Sequence, residues 1–351
     1  IFTTFLVSNQ TKNYYHSRGL IDVVNEQNSA DTWFFRFIKQ PEPYEINLDY
    51  NFNLSDSKTK VTKWNNDTKL LSSYFSGKTY GDIWGFETDR YFEESDFTGQ
   101  NADGSWIYKS GVASQSALER APFHYGPGDI KFKDLDGSGA IDGGKGTADD
   151  HGDLKVIGNS LPRYEYSFHL GGTYCGFDID LFFQGVGKRD MWTLSSLAFP
   201  EMRAPDLAIY SNQTRYNVYD PANNIVNISQ SNDFPCLYAG NEAPGNVAAL
   251  SPIGGEHNYY PQTRYLVDMS YLRLKNITLG YTVPQSILRH IFIQKIRVYG
   301  SVNNLCLLHN GCGKLPIDPE MNDGQGALTY GTWGRTYPIT RSWSVGLEVT
   351  F

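Results

Sequence analysis

The chain has 351 residues, with 30 basic against 38 acidic side chains and a net charge of −8. That balance excludes a dedicated nucleic-acid binder, which carries a basic excess, and 40% apolar with 15% aromatic residues excludes a disordered chain. No run approaches the roughly 18 consecutive apolar residues of a membrane-spanning helix.

Ile1 stands where a Met is usual, and no signal-peptide pattern follows, so a processed or truncated chain is expected. The first clear element is Tyr44 to Asn53, where Tyr44, Ile46, Leu48, Tyr50 and Phe52 alternate with Glu45, Asn47, Asp49 and Asn51. Every second side chain of a strand points the same way, so this segment has one apolar and one polar face. A long polar stretch, Thr79 to Asn159, follows and reads as a loop. Strands return at Tyr164 to Leu170 and at Phe177 to Phe183, joined by a Gly-Gly-Thr-Tyr-Cys-Gly connection that marks a hairpin. A second long stretch runs from Lys188 to Tyr260. Pro284 to His290 offers one or two helical turns, with Pro284 suited to a first helical position. The end alternates most cleanly: Trp343, Val345, Leu347, Val349 and Phe351 against Ser342, Ser344, Gly346, Glu348 and Thr350.

Short turns on one side and long loops on the other describe an antiparallel transmembrane β-barrel, all-β, with apolar residues toward lipid and polar residues toward a wet lumen. A soluble β-sandwich also alternates. Strands of about ten residues favour the tilted membrane crossing over the usual soluble strand of about five or six.

The sharpest local motif is Asp134-Leu135-Asp136-Gly137-Ser138-Gly139-Ala140-Ile141-Asp142. Asp134, Asp136, Ser138 and Asp142 supply oxygens at calcium-loop positions one, three, five and nine. Gly139 permits the turn, and Ala140 offers its backbone carbonyl. Lys145 stands where the closing acid belongs, leaving Asp149, Asp150 or Asp153 for that role. The alternative is an Asp/Gly turn held by its own Asx hydrogen bonds. The stretch Gly139 to Lys145 misses the phosphate-loop pattern, for no Ser or Thr follows the Lys. Seven scattered His residues form no zinc-type pair, no G-x-S-x-G elbow exists, and Glu93, Glu94 and Asp96 read as surface acid; no enzyme activity is expected. Cys306 and Cys312, close together in a Gly-rich loop, suit either one disulfide or free thiols. Trp33, Trp64, Trp84, Trp106, Trp192 and Trp333 lie mostly outside the clean alternating runs, and with Trp343 suit interfacial girdles or packing first, sugar or peptide contact second.

Several blocks in order resemble SusC/RagA-like TonB-dependent outer-membrane transporters: GDIKFKDLDGSGAID, DLKVIGNSLPRYEYSFHLGGTYCGFDIDLFFQGV, YLRLKNITLGYTVP, IRVYGSVNNL and YPITRSWSVGLEVTF. GKTYGDIWGFETDRYFEESD fits more loosely, and the resemblance covers about Thr79 to Phe351. It implies that residues 1–351 are the C-terminal portion of a large plugged barrel in the cell outer membrane, without the plug domain and the segment that contacts TonB. It implies uptake of oligosaccharides or peptides with a SusD-like surface lipoprotein, powered by TonB-ExbB-ExbD. On the family pattern Asp153 matches the closing acid of the metal loop, giving Asp134, Asp136, Ser138, Ala140, Asp142 and Asp153 as the Ca2+ set. Ser138 in place of Asp and an insertion from Gly143 to Gly152 depart from that pattern. Phe351 matches the terminal aromatic residue that serves as an assembly signal. A secreted, calcium-stabilised β-rich glycan-active enzyme or adhesin is the competing expectation.

Overall fold

The alternation just described dictates extended backbone, and the computed structural model delivers it. It describes residues 35–36, 47–119, 123–192, 217–236, 257–289, 292–320 and 339–351. The chain starts with strands β1 (Phe35–Arg36) and β2 (Asn47–Ser55). Short strands follow: β3 (Asp82–Phe86), β4 (Thr88–Tyr91), β5 (Phe97–Gln100), β6 (Trp106–Tyr108), β7 (Ile130–Phe132) and β8 (Leu154–Asn159). Then come the long hairpin β9 (Arg163–Tyr174) and β10 (Phe177–Lys188), and the short β11 (Asp190–Met191), β12 (Val218–Asp220), β13 (Ile225–Asn227) and β14 (Val267–Asp268). Three long strands close the chain: β15 (Tyr271–Thr282), β16 (Lys295–Asn310) and β17 (Ser342–Thr350).

The long strands form one antiparallel sheet in the order β1-β2-β9-β10-β15-β16-β17. Among the described residues β1 and β17 remain its edges, so the expected barrel appears as an open wall rather than a closed ring. Register fixes the two faces. Tyr50, Leu170, Leu181, Ile277, Val302 and Trp343 stand opposite one another in one row across the strands. The next row reads Asp49, Gly171, Asp180, Thr278, Ser301 and Ser344. Rows alternate because the side-chain period is two. The apolar rows stay bare: Leu48, Phe177, Leu279 and Val345 are exposed, Val345 at 85%. A sandwich would bury that face under a second sheet. None covers it among the described residues.

The polar face is knitted by its own side chains. Arg297 donates to both carboxylate oxygens of Asp178, at 3.0 and 2.6 Å, and its guanidinium lies over the Tyr299 ring. Lys295 pairs with Glu348 at 3.0 Å, and His169 with Asp180. Tyr299 in turn lies across Gly346, where a Cβ would stand 2.2 Å from the ring. That is why this strand has Gly at a polar-face position.

The β9–β10 connection is shorter than the sequence suggested. The strands run on through Gly171 to Tyr174, and only Cys175 and Gly176 turn, with φ of 49° and 86°. Positive φ at both central residues matches the right-handed twist of a hairpin. Gly171 and Gly172 therefore belong to the ladder rather than to the turn. Beyond Pro284 a single helical turn forms, α1 (Gln285–Leu288), with Pro284 as its N-cap.

The stretch Thr79 to Asn159, expected as polar loop, instead folds around a core of its own. Phe86, Tyr91, Phe92, Phe97, Phe123, Tyr125, Ile130, Phe132 and Ile141 are buried together. A polar network ties this core to distant chain: Asn258 donates to buried Asp129 at 2.7 Å while its own carbonyl accepts from Ile130 N at 2.7 Å. Gln115 donates to Ile130 O and accepts from Phe132 N. All these loops lie at one end of the sheet. At the other end, among the described residues, lie Cys175–Gly176 and the residues on either side of the β15–β16 connection, Val283 to Arg289 and Phe292 to Gln294.

Candidate functional site

The acid loop leaves β7 at Lys133 and is anchored by Ile141, which is fully buried and whose N–H donates to Ser114 O at 2.7 Å. Gly137 and Gly139 take φ of 75° and 81°, the left-handed turns that Gly permits without a Cβ penalty. The chain thereby folds back on its own carboxylates. Asp134 accepts from Gly137 N (2.7 Å) and Gly139 N (2.9 Å), and Asp136 from Ser138 N (2.8 Å). Ser138 Oγ donates to the Ala140 carbonyl at 2.9 Å, so both expected oxygens sit side by side. The Ser138 side chain and N–H beside Asp136 hold its carboxyl below the usual carboxylate range.

Three acids were open for the closing position, and the structure separates them. Asp149 pairs with Lys69 at 2.9 Å and Asp150 with Lys145 at 3.0 Å. Asp153 is fully buried and accepts from Leu135 N (2.6 Å) and Asp142 N (3.0 Å). One carboxylate oxygen each from Asp134, Asp136 and Asp153 lie within 4.8 Å of one another. Asp142 stands outside that group, because its Oδ1 accepts from Gly144 N at 2.7 Å inside the inserted segment. Its backbone carbonyl accepts from Asp153 N at 2.9 Å.

The lysines next to the cluster are occupied elsewhere. Lys133 and Lys155 both donate to Glu87, and those two hydrogen bonds bring its carboxyl down to about 2. Hard carboxylate oxygens from three acids, with a hydroxyl and a carbonyl alongside, are the donor chemistry a calcium ion takes. The backbone N–H groups that also reach these acids are what an Asx-type turn supplies by itself.

Other expected residues fall at separate places. Phe351 is exposed at the end of the sheet, beyond Thr350, whose carbonyl accepts from Gln294 N at 2.8 Å. Trp84 and Trp106 belong to β3 and β6, Trp192 is buried, Trp64 and Trp343 are exposed, and Trp33 and Trp333 lie outside the described residues, as does most of Lys188 to Tyr260. Cys306 and Cys312 are free thiols; burial pushes the Cys312 thiol up to about 11.

One constellation escaped the sequence reading. Arg273, buried on the polar face of β15, donates to Asp318, and its Nε sits 3.1 Å from Glu320 Oε2 without hydrogen-bond alignment. Lys275 donates to the other Glu320 oxygen at 2.5 Å. A bulge leaves Lys275 unpaired between Leu274 and Asn276, which lets both cations meet one pair of acids. No local signal announces it, for the partners are 45 residues apart.

No family model matches the chain. The TonB-dependent receptor P3 of Formosa agariphila is 30% identical over 233 residues, which is 64% of this chain and 19% of that protein. The TonB-dependent receptor P26 of the same organism is 26% identical over 260 residues, covering 73% and 22%. The solved RagAB peptide transporter superposes with a TM-score of 0.51 at 17% identity, over 91% of this chain and 29% of that one. The RagAB peptide importer in the open-open state gives 0.50 at 14%, over 91% and 28%. The chain thus spans about a fifth of the length of the curated relatives it matches. Sequence likeness to TonB-dependent receptors and fold likeness to the RagAB transporter support the resemblance to SusC/RagA-like TonB-dependent transporters.

Proposed function

We propose that the chain is the C-terminal part of a barrel that takes up oligosaccharides or peptides across the Gram-negative outer membrane, driven by TonB-ExbB-ExbD through a separate N-terminal part. One observation carries this: apolar rows continue uncovered across six strands while the opposite face is polar and internally paired. Lipid is the solvent that such a face suits, and a closed ring in the intact protein satisfies every backbone polar group within it. The secreted enzyme or adhesin reading leaves that apolar face in water. No covalent step is involved; the wall is rigid, and its polar face and the packed loops meet the substrate.

A SusD-like surface lipoprotein is the partner that closes the loop end. Loops with an internal core are rigid enough to present a docking surface, and loops this long are usually functional. The test is affinity purification of the intact transporter from native membranes in mild detergent. A lipoprotein of that class in near-equal amount is expected; the barrel alone would overturn the partnership. Heat-modifiable gel migration is expected of the same sample and would be missing from a soluble enzyme.

The acid loop is a calcium site in this reading, holding the ion through Asp134, Asp136 and Asp153 with Ser138 and Ala140 nearby. An extracellular module of this kind binds at about 0.1–1 mM. Chelator, or Asp134→Ala with Asp136→Ala, is expected to expose the segment from 134 to 153 to protease. A wild-type segment equally protected with and without chelator returns the motif to an Asx turn.

Phe351 is the assembly signal. Its deletion is expected to lower the amount of assembled transporter while leaving the unfolding midpoint of the assembled fraction unchanged. Normal surface levels after deletion would leave it an ordinary interfacial ring.

A further inference from the structure

Trp64 and the insertion from Gly143 to Gly152 belong to one small structure at the loop end of the sheet. Beyond β2 the chain runs out and back as a strap, residues 58–80. Tyr80 N donates to Thr59 O (2.9 Å), Val61 N to Lys78 O (2.9 Å) and Gly77 N to Val61 O (2.8 Å), which closes its base. The Asn66 side chain ties its tip, donating to Leu70 O and Tyr74 O and accepting from Leu70 N. The insertion brackets it from outside. Leu71 N donates to Gly146 O at 2.8 Å, Ala148 N to Lys69 O at 3.0 Å, and Lys69 pairs with Asp149 at 2.9 Å. Hydrogen bonds therefore hold the strap in one shape, for Phe75 is its single buried side chain.

What the strap presents outward is aromatic and cationic. Tyr74 and Tyr80 stack, with ring centroids 5.4 Å apart and planes 11° from parallel. Trp64 stands against Tyr74 at 5.2 Å, its plane turned by 75°. Trp64 is 52% exposed and Tyr80 43%, with Tyr74 half-buried between them. Rings already fixed against one another offer a stacking surface with little left to order on binding. Residues 58–80 also carry five lysines against the single acid Asp67, in a chain whose net charge is −8. Lys69 is taken by Asp149, and Lys78 donates to the carbonyls of Leu71 and Ser73 at 2.8 and 2.9 Å. Lys58, Lys60 and Lys63 are exposed and meet no acid among the described residues. A local cationic excess on an acidic protein draws anions to that place.

We propose that the 58–80 strap is a binding platform for an acidic oligosaccharide, whose sugar rings stack on Trp64 and Tyr80 and whose carboxylate or sulfate groups meet Lys58, Lys60 and Lys63. A sugar ring has an apolar C–H face and a polar edge, which is what bare aromatic faces rimmed by cations complement. The strap hangs from the packed loops rather than from the apolar rows of the sheet. Outside itself its hydrogen bonds go to residues 146–149 and to Asn159, whose Nδ2 donates to Tyr80 O at 3.0 Å. The proposal rests on the uptake reading above and narrows its substrate to anionic glycans captured at the loop end.

The test is calorimetric titration of the intact transporter in detergent with oligogalacturonate, a sulfated dextran oligomer, neutral dextran of matched length and oligoglutamate. One or both acidic glycans are expected to bind roughly tenfold more tightly than neutral dextran and oligoglutamate, and to weaken as salt rises. Trp64→Ala with Tyr80→Ala is expected to lower that affinity roughly tenfold and keep its salt dependence. Lys58→Gln, Lys60→Gln and Lys63→Gln together are expected to lower it as well and to flatten the salt dependence. All five side chains are exposed, and heat-modifiable migration confirms that each variant is folded. Unchanged affinity in the aromatic variant, or no binding of either acidic glycan, would overturn the platform and leave the uptake reading standing. Oligoglutamate or neutral dextran bound as tightly as the acidic glycans would overturn the assigned ligand class. Variants that lose only their affinity for lipopolysaccharide micelles would make the strap a membrane contact and overturn the platform too. Absence of heat-modifiable migration in the unmodified protein would overturn the uptake reading itself.

Discussion

Val345→Arg is expected to destabilise the wall by about 2–4 kcal/mol, the cost of a cationic side chain at the middle of a lipid-facing barrel strand. Ser344→Arg, one residue away, is expected to change it by well under half of that. The contrast follows from register. Val345 pairs with Gly300 and shares its row with Leu279, Ile179 and Leu48, all on the apolar face. Ser344 pairs with Ser301 on the polar face, where their hydroxyls meet at 2.6 Å. An arginine there stays on the polar face, among the hydroxyls of Ser301 and Ser342. The measurement is the unfolding midpoint of the intact transporter in vesicles, with heat-modifiable migration as the folding check. Equal losses in the two variants would mean that this face does not meet lipid.

How much of this was legible beforehand depends on the range of the interaction. A strand announces itself within a few residues, because burial on one side imposes a period of two, and β2, β9, β10 and β17 all sit where alternation was read. Turn boundaries are weaker. Gly171 and Gly172 look like a turn in sequence, yet a sheet tolerates Gly when ladder pairing continues, and positive φ at Cys175 and Gly176 decides the reversal. The acid loop was half legible. Oxygen spacing brought Asp134 and Asp136 forward. Spacing left Asp149, Asp150 and Asp153 open and the resemblance singled out Asp153, whereas the pairing of Asp149 with Lys69, 80 residues before it, and of Asp150 with Lys145 was not read from the sequence. The core of the Thr79 to Asn159 segment was not legible at all, since its polar clasp joins Asp129 to Asn258 across 129 residues.

Arg273→Ala is expected to be the most disruptive single change to the segment from 311 to 320. Breaking one side of a buried ion pair costs about 3–5 kcal/mol, because the partner charge stays behind without compensation. Here the guanidinium faces two acids, Asp318 and Glu320, and Asp318 also holds Glu320 N at 3.0 Å. Lys275 stays in place at Glu320, so the loss should fall at the lower end of that range and centre on Asp318. Opening of this loop releases Ile317 and Cys312 from the cluster they form with Met191, Val267 and Met269. Cleavage between 311 and 320 in limited proteolysis, with faster amide exchange there and unchanged exchange in β9 and β10, is the expected readout. Arg273→Lys tests the geometry: one ammonium reaches one acid, whereas the planar guanidinium lies beside both. It should keep part of the protection. Removing the pair together, by Arg273→Met with Asp318→Leu, leaves no orphaned charge and is expected to be milder than Arg273→Ala alone. If the double variant is as damaged as the sum of its parts, the two side chains act independently, and the loop is held by packing around Ile317 rather than by this charge cluster.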